Sequence, residues 1–133
     1  HQDSILDVEA GVEFLTNLGI DKNNIVLIGA SVGANLALEY QGKNREIKKV
    51  ALLSAGLNYR GVTTKNWAES LDDDQSVFYA SSENDGNNAK ENQELDEATK
   101  NSKLILYKSA GHGTDMFGKE EPDLETEILN WTE

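Results

Sequence analysis

Residues 29–33 place a serine, Ser31, between two glycines in the pattern G-x-S-x-G. An apolar run at residues 25–28 precedes this segment, and a helix-like run follows it. Strand, sharp turn and helix in this order are typical of a nucleophile elbow, which exposes the serine hydroxyl at the end of a sheet. Such a turn is strained and crowded, and glycine lacks the Cβ atom that would collide there. We therefore predict that Ser31 is a nucleophile and that both glycines relieve collisions.

The helix that follows Ser31 has a predicted chemical role of its own. Its first amides point at the space in front of the serine, and helix N-termini stabilise negative charge. The amide of Val32 is therefore the expected oxyanion donor. A glycine-rich turn that only reverses the chain, or a degenerate dinucleotide loop, is the alternative. A dinucleotide loop needs glycine where Ser31 and Ala34 stand, which makes that alternative poor.

A histidine suited to activate the serine lies in a different part of the chain. The sequence has two histidines, and His1 is the first residue. His112 lies in a glycine-flanked loop directly after the apolar run at residues 104–107. A lone loop histidine is ordinarily a surface residue, but a candidate nucleophile elsewhere in the chain changes this interpretation. We predict that His112 is the general base that takes the Ser31 proton.

The acid of a serine hydrolase with this elbow is expected between the serine and the histidine in the chain. The run at residues 77–81 is predicted to be a strand, and Glu83 and Asp85 follow it. Asp85 is the preferred acid because it stands at the carboxyl end of the strand, in a turn closed by Gly86. Glu83 is the second choice. The acidic run at residues 72–74 precedes the strand and is expected at the opposite end of the sheet.

Four segments together resemble the carboxyl-terminal part of an α/β-hydrolase, close to dienelactone-hydrolase-like and related esterases. They are residues 28–37, 53–61, 82–85 and 110–113. The resemblance implies hydrolysis of small carboxylic esters without a cofactor or a metal. It also implies a gap, because the first strands of that family, and the loop that gives the second oxyanion amide, have no counterpart. The chain thus resembles a fragment, a processed product or a truncated gene.

Two further functions remain open at this stage. An impaired hydrolase fragment would keep the three catalytic residue types but lack half of the oxyanion hole. A peptidase or thioesterase of the same fold would have the same residues, because the fold alone does not choose the substrate.

Other residues near the predicted sheet ends are candidates for substrate contact. Tyr59, Met116 and Phe117 are expected to line the acyl or alcohol pocket, with simple anchoring of their loops as the alternative. Arg60 is a candidate for binding a substrate carboxylate, with a surface ion pair as the alternative.

Composition narrows the classes of partner. The chain has 133 residues and a net charge of −12, so nucleic acid and anionic membrane surfaces would be repelled. It has no cysteine, which excludes disulfides and thiolate zinc sites. A chain of this length is expected to form one domain over residues 1–133.

Short apolar runs that alternate with helical patterns predict an α/β fold with a parallel sheet of about four strands. Parallel strands bring all three catalytic candidates to carboxyl ends, where open α/β sheets place their sites. The predicted strands are residues 25–28, 50–53, 77–81 and 104–107, and the predicted helices are residues 4–18, 34–40, 65–71, 88–100 and a last helix from about 121.

The strand at residues 25–28 is expected to have a free edge. In the resembled family it is an inner strand, and one of its neighbours would come from the amino-terminal part that is missing here. Exposed strand edges recruit other strands. We expect either antiparallel pairing with a second copy of this chain, or pairing with a missing amino-terminal segment. A monomer whose edge is covered by the helix at residues 4–18 is the competing expectation.

Overall fold

The computed structural model describes residues 2–133 and contains one four-stranded sheet and one short hairpin. The large sheet has the order β1-β2-β5-β6, and every pair in it is parallel. This confirms the predicted parallel sheet. The strands are β1 (Val26–Ala30), β2 (Lys49–Leu53), β3 (Asn58–Tyr59), β4 (Val62–Thr63), β5 (Ser76–Ser82) and β6 (Ser102–Tyr107).

Helices cover both faces of the sheet and explain why the middle of each strand is continuously apolar. Successive strand residues point to opposite faces: Val50 belongs to the core beneath α1, α2 and α4, and Ala51 belongs to the core beneath α5. The helices are α1 (Ile5–Asn17), α2 (Val32–Lys43), α3 (Lys65–Ser70), α4 (Asn88–Ala98) and α5 (Leu124–Thr132). Across residues 2–133, no helix combines the length and the apolar character that a membrane crossing needs.

Two elements differ from the sequence expectation. Helix α5 begins at Leu124 rather than near residue 121, because the Asp123 carboxylate caps it by accepting the Thr126 amide at 3.1 Å. Pro122 therefore precedes the helix instead of lying in its first turn. The antiparallel pairing of β3 with β4 was not predicted, and it makes a compact turn of the segment that carries Tyr59.

Strand β1 lies at an edge of the sheet, and β2 is its partner within the described residues. A cavity of about 480 Å³ opens between α1 and this edge, lined largely by apolar residues. A second cavity, of about 330 Å³, lies on the other face of β1 and is lined by Ile28, Phe117 and Leu129 among others. Ile28 itself is 57% exposed. Helix α1 therefore does not close the edge.

Candidate active site

Ser31 stands at the turn between β1 and α2 in a strained backbone conformation. Its φ and ψ are 56° and −124°, a combination that residues with a side chain rarely adopt. Such a conformation costs about 1–3 kcal/mol and persists where the surrounding structure enforces it. Here the Ser31 amide donates to the Leu53 carbonyl at 2.9 Å, and the Ser31 carbonyl accepts the Ala34 amide at 3.0 Å. The turn is thus fixed on the β2 side and on the helix side.

The two glycines of the motif have different roles. A Cβ atom at Gly29 would lie 2.8 Å from the Ala34 nitrogen and closer still to the Gly33 carbonyl group. Gly29 thus allows the first turn of α2 to lie against β1. A Cβ atom at Gly33 would meet no atom within 4 Å, so the predicted collision at Gly33 is wrong. Gly33 instead faces the cavity between α1 and β1, where the described residues leave space.

Helix α2 begins at Val32, directly after Ser31. The first amides of any α-helix have no carbonyl partner within the helix, and they carry the positive end of its dipole. The amide of Val32 is among these and adjoins the candidate nucleophile. Its oxyanion role remains a prediction.

The loop that carries His112 crosses the end of the sheet. His112 follows β6 at one edge of the sheet, whereas Ser31 follows β1 at the other edge. The two strands are separated by three strand spacings of about 4.8 Å each, which the loop has to cross. Next to His112, a Cβ atom at Gly113 would lie 3.5 Å from the Ala30 Cβ. The residue after His112 therefore lies against the residue before Ser31, and the loop spans from β6 to the end of β1.

Asp85 and His112 form a close pair in this loop region. The distance between His112 Nδ1 and Asp85 Oδ2 is 2.6 Å. A neutral imidazole that donates from Nδ1 presents Nε2 as its proton acceptor. Within residues 2–133, Ser31 Oγ makes no hydrogen bond to this ring; such contacts are often long before substrate binds. Glu83 lies elsewhere, beside a cavity lined by residues of α4 that include Lys90.

Three polar side chains that sequence reasoning did not single out fix the His112 loop. Ser82 Oγ accepts the Ala110 amide at 2.8 Å, and Asn84 Oδ1 accepts the Gly111 amide at 3.0 Å. Ser54 Oγ accepts the Gly113 amide at 2.8 Å. All three follow or end strands that neighbour the loop. Their position at strand ends could have indicated that they lie near the site, but the sequence does not show which backbone amides they contact.

Hydrogen bonds and packing hold the Tyr59 side chain in place near the end of β2. Its hydroxyl donates to the Ser54 carbonyl at 3.1 Å and accepts from Asn88 Nδ2 at 3.0 Å, and its ring lies against Gly56. Burial, followed by the nearby carboxylates of Glu91 and Asp85, raises the pKa of the Tyr59 phenol. These contacts fit the anchoring alternative, and the role in the substrate pocket remains a prediction.

Met116 and Phe117 do not join Tyr59 in one pocket. Met116 has no exposed surface and packs in the core beneath α5, which corrects the expectation that it lines a substrate pocket. It lies in the short 3-10 turn Gly113–Met116, and its burial anchors the segment after His112. Phe117 is 38% exposed and lines the cavity on the α5 face beside Ile28. This cavity lies on the flank of β1, not with Tyr59.

Arg60 lies in the turn between β3 and β4, with a φ of 53°. Its predicted contact with a substrate carboxylate remains a prediction. Within residues 2–133, no cluster of three or more carboxylate or imidazole side chains is arranged to hold a metal ion.

No protein-family model matches the sequence, and no curated protein matches it. Several solved structures, in contrast, superpose well on this chain. An esterase from Pyrococcus furiosus superposes with a TM-score of 0.72 at 16% identity, over 99% of this chain and 61% of the esterase. A putative dienelactone hydrolase from Klebsiella pneumoniae gives a TM-score of 0.72 at 15% identity, over 96% of this chain and 59% of the hydrolase.

Arabidopsis thaliana SOBER1 gives a TM-score of 0.67 at 17% identity, over 98% of this chain and 62% of SOBER1. The chain thus spans about 60% of the length of these three proteins. Nearly all of residues 2–133 superpose on them, including the sheet and the loops at its carboxyl ends. The chain therefore has the α/β-hydrolase fold, of which it forms a part.

Proposed function

We propose that this chain is a serine hydrolase that cleaves carboxylic esters through Ser31, Asp85 and His112. The observation that carries the proposal is the His112 loop. It crosses from β6 to the end of β1, pairs the ring with Asp85 at 2.6 Å, and brings Gly113 against Ala30 beside the strained Ser31 turn. The esterase and the putative dienelactone hydrolase that share the fold support the same reaction class.

The reaction proceeds in two halves on these groups. His112 Nε2 takes the Ser31 hydroxyl proton while Oγ attacks the ester carbonyl, and the Val32 amide donates a hydrogen bond to the carbonyl oxygen as negative charge develops on it. The protonated ring then gives its proton to the departing alcohol, which leaves an acyl group on Ser31. Water, deprotonated by His112, then attacks the acyl carbonyl. The bond between that carbon and Ser31 Oγ breaks, the ring returns its proton to Oγ, and the carboxylic acid departs. Asp85 orients the ring and stabilises its charge throughout.

An impaired hydrolase is the second candidate, because a cavity rather than protein adjoins one side of the turn that carries Ser31. The cavity between α1 and β1 reaches Ala30 and Gly33, on either side of Ser31. Catalysis of acyl transfer gains most from a second donor that faces the first, and loss of one donor costs about 10²–10³-fold in rate. An elbow that lacks this donor would acylate slowly even with the other residues in place.

Hydrolysis of a matched set of substrates tests the proposal. We expect saturable hydrolysis of p-nitrophenyl acetate that Ser31→Ala reduces to the buffer rate, and slower hydrolysis of the corresponding anilide. Hydrolysis that survives Ser31→Ala contradicts the assignment. No turnover, combined with normal folding by circular dichroism, favours the impaired hydrolase. Faster turnover of the thioester or anilide places the chain among thioesterases or peptidases.

A further inference from the structure

Ser54, at the end of β2, is a second serine with a strained backbone. Its φ is 56°, and the residue has no exposed surface. Its amide donates to the Ala80 carbonyl at 2.8 Å, and its carbonyl accepts the Tyr59 hydroxyl at 3.1 Å. Glycine adopts this φ without strain, so the backbone alone would favour glycine at this position.

The hydroxyl of Ser54 is what glycine would lack. Ser54 Oγ accepts the Gly113 amide at 2.8 Å in a buried hydrogen bond. Gly113 follows His112 directly, and it also lies against Ala30 at the end of β1. The bond therefore fixes the loop at the place where it reaches the nucleophile, next to the ring that must meet Ser31.

The other side-chain anchors of residues 110–112 lie on the β5 side. Ser82 holds Ala110, Asn84 holds Gly111, and Asp85 holds the His112 ring. Gly111 and Gly113 have φ values of 87° and 60°, so the loop backbone is in a conformation that glycine permits but does not by itself enforce. Ser54 supplies the polar anchor on the side of Ser31.

We propose that Ser54 is a positioning residue that sets how far His112 reaches across the sheet toward Ser31. The proposal rests on the proposed function of Ser31 and His112. Without the Ser54 hydroxyl, the ring keeps its bond to Asp85, but the loop loses its side-chain hydrogen bond at Gly113. A displacement of about 1 Å in a reacting group can cost about a hundredfold in rate.

Two substitutions separate positioning from stability. Ser54→Ala and Ser54→Gly both remove the acceptor of the Gly113 amide, but only Ser54→Gly relieves the positive φ. We expect Ser54→Gly to unfold at a higher temperature than Ser54→Ala, while both lose activity to a similar extent. Ser81→Ala is the matched control, because Ser81 is equally buried at the next strand end and bonds to Asn88 rather than to the loop.

Three readouts are measured on the full chain: the rate at which a fluorophosphonate labels Ser31, kcat and KM for p-nitrophenyl acetate, and amide hydrogen exchange at Gly113. For both Ser54 variants we expect labelling and kcat to fall about ten- to a hundredfold with KM nearly unchanged. Exchange at Gly113 should accelerate in both variants and not in Ser81→Ala.

The outcomes separate this proposal from the proposed function. Labelling at the normal rate in both Ser54 variants overturns the positioning role, as does activity that tracks the unfolding temperature. If the unmodified chain does not label at all, the proposed function fails. Hydrogen exchange then decides about Ser54 alone: unchanged exchange at Gly113 refutes the anchoring of the loop, whereas faster exchange supports it.

Discussion

Asp85 and His112 follow different strands, yet their side chains meet at 2.6 Å at the carboxyl end of the sheet. The pairing leaves Nε2 of the ring available, and the loop carries that ring toward Ser31. Glu83 is two residues from Asp85 in sequence but lies beside α4. Chain position favoured Asp85 over Glu83, and the geometry brings Asp85 to the histidine.

Replacement of the acid gives the first prediction. Asp85→Asn should lower kcat for ester hydrolysis by about 10³–10⁴-fold, because an amide no longer holds the ring in the right tautomer or stabilises its charge. Glu83→Gln is the control of equal charge change and should retain normal kcat. Steady-state kinetics of the two purified variants checks this. A larger loss in Glu83→Gln would reassign the acid.

Tyr107 gives a prediction about alkaline pH. Burial, followed by the nearby carboxylates of Asp123 and Glu127, raises the pKa of Tyr107 to about 12. Between pH 10 and pH 12 the unfolded chain loses this proton and the folded chain keeps it, so the free energy of unfolding should fall as pH rises. Urea unfolding across this range should show a smaller fall for Tyr107→Phe. An equal fall would show that Tyr107 is not responsible.

Patterns that involve many residues could be read from the sequence. Each strand of the large sheet contains a continuous apolar run, and each predicted strand end lies within two residues of the observed one. The hairpin of β3 and β4 has two residues per strand, too few for any periodicity. Pro122 favours a helix start near residue 121, but the Asp123 side chain caps the helix and α5 begins at Leu124.

The contacts of individual side chains were harder to predict than the helices and strands. From the sequence we expect Met116 in a substrate pocket, but apolar residues in a loop pack wherever the core has space, and this one is buried beneath α5. Ser54 carries no sequence pattern, because its strained φ and its contact with Gly113 depend on strands that are distant in sequence.

The elbow between β1 and α2 gives a prediction from two matched glycines. Gly29→Ala should lower the free energy of unfolding by about 1–3 kcal/mol or prevent folding, because its Cβ overlaps the backbone of Gly33 and Ala34. Gly33→Ala should be tolerated or stabilising by up to about 1 kcal/mol, since its Cβ points into open space within a helix. Thermal unfolding of both variants compares them, and equal losses would contradict the one-sided crowding.

At the scale of the whole molecule, the main feature is that β1 is an edge strand of the sheet. Within residues 2–133, no strand pairs with its outer edge, and apolar cavities lie on both faces beside it. We propose that two copies pair antiparallel along β1 and form a continuous sheet across a two-fold axis. Each chain carries a net charge of −12, so the pairing must overcome repulsion that salt screens.

Light scattering at low micromolar concentration tests this pairing. We expect a mass about twice that of the 14.6 kDa chain, with the dimer fraction rising as salt is added. Ile28→Lys should shift the mass to a monomer without unfolding the chain, because Ile28 lies exposed on the edge strand. Lys100→Ala, just before β6 at the opposite edge of the sheet, should not change the mass. A monomer at every salt concentration contradicts the proposed dimer.

Covalent labelling tests the central claim, that Ser31 is a nucleophile activated by His112 and Asp85, most directly. A fluorophosphonate needs an activated serine but no particular ester, and mass spectrometry of the digested protein locates the adduct. We predict one adduct, on Ser31, that is lost in Ser31→Ala and strongly slowed in His112→Gln. An adduct on another residue, or labelling of Ser31 that is equally fast without the His112 ring, would contradict the account.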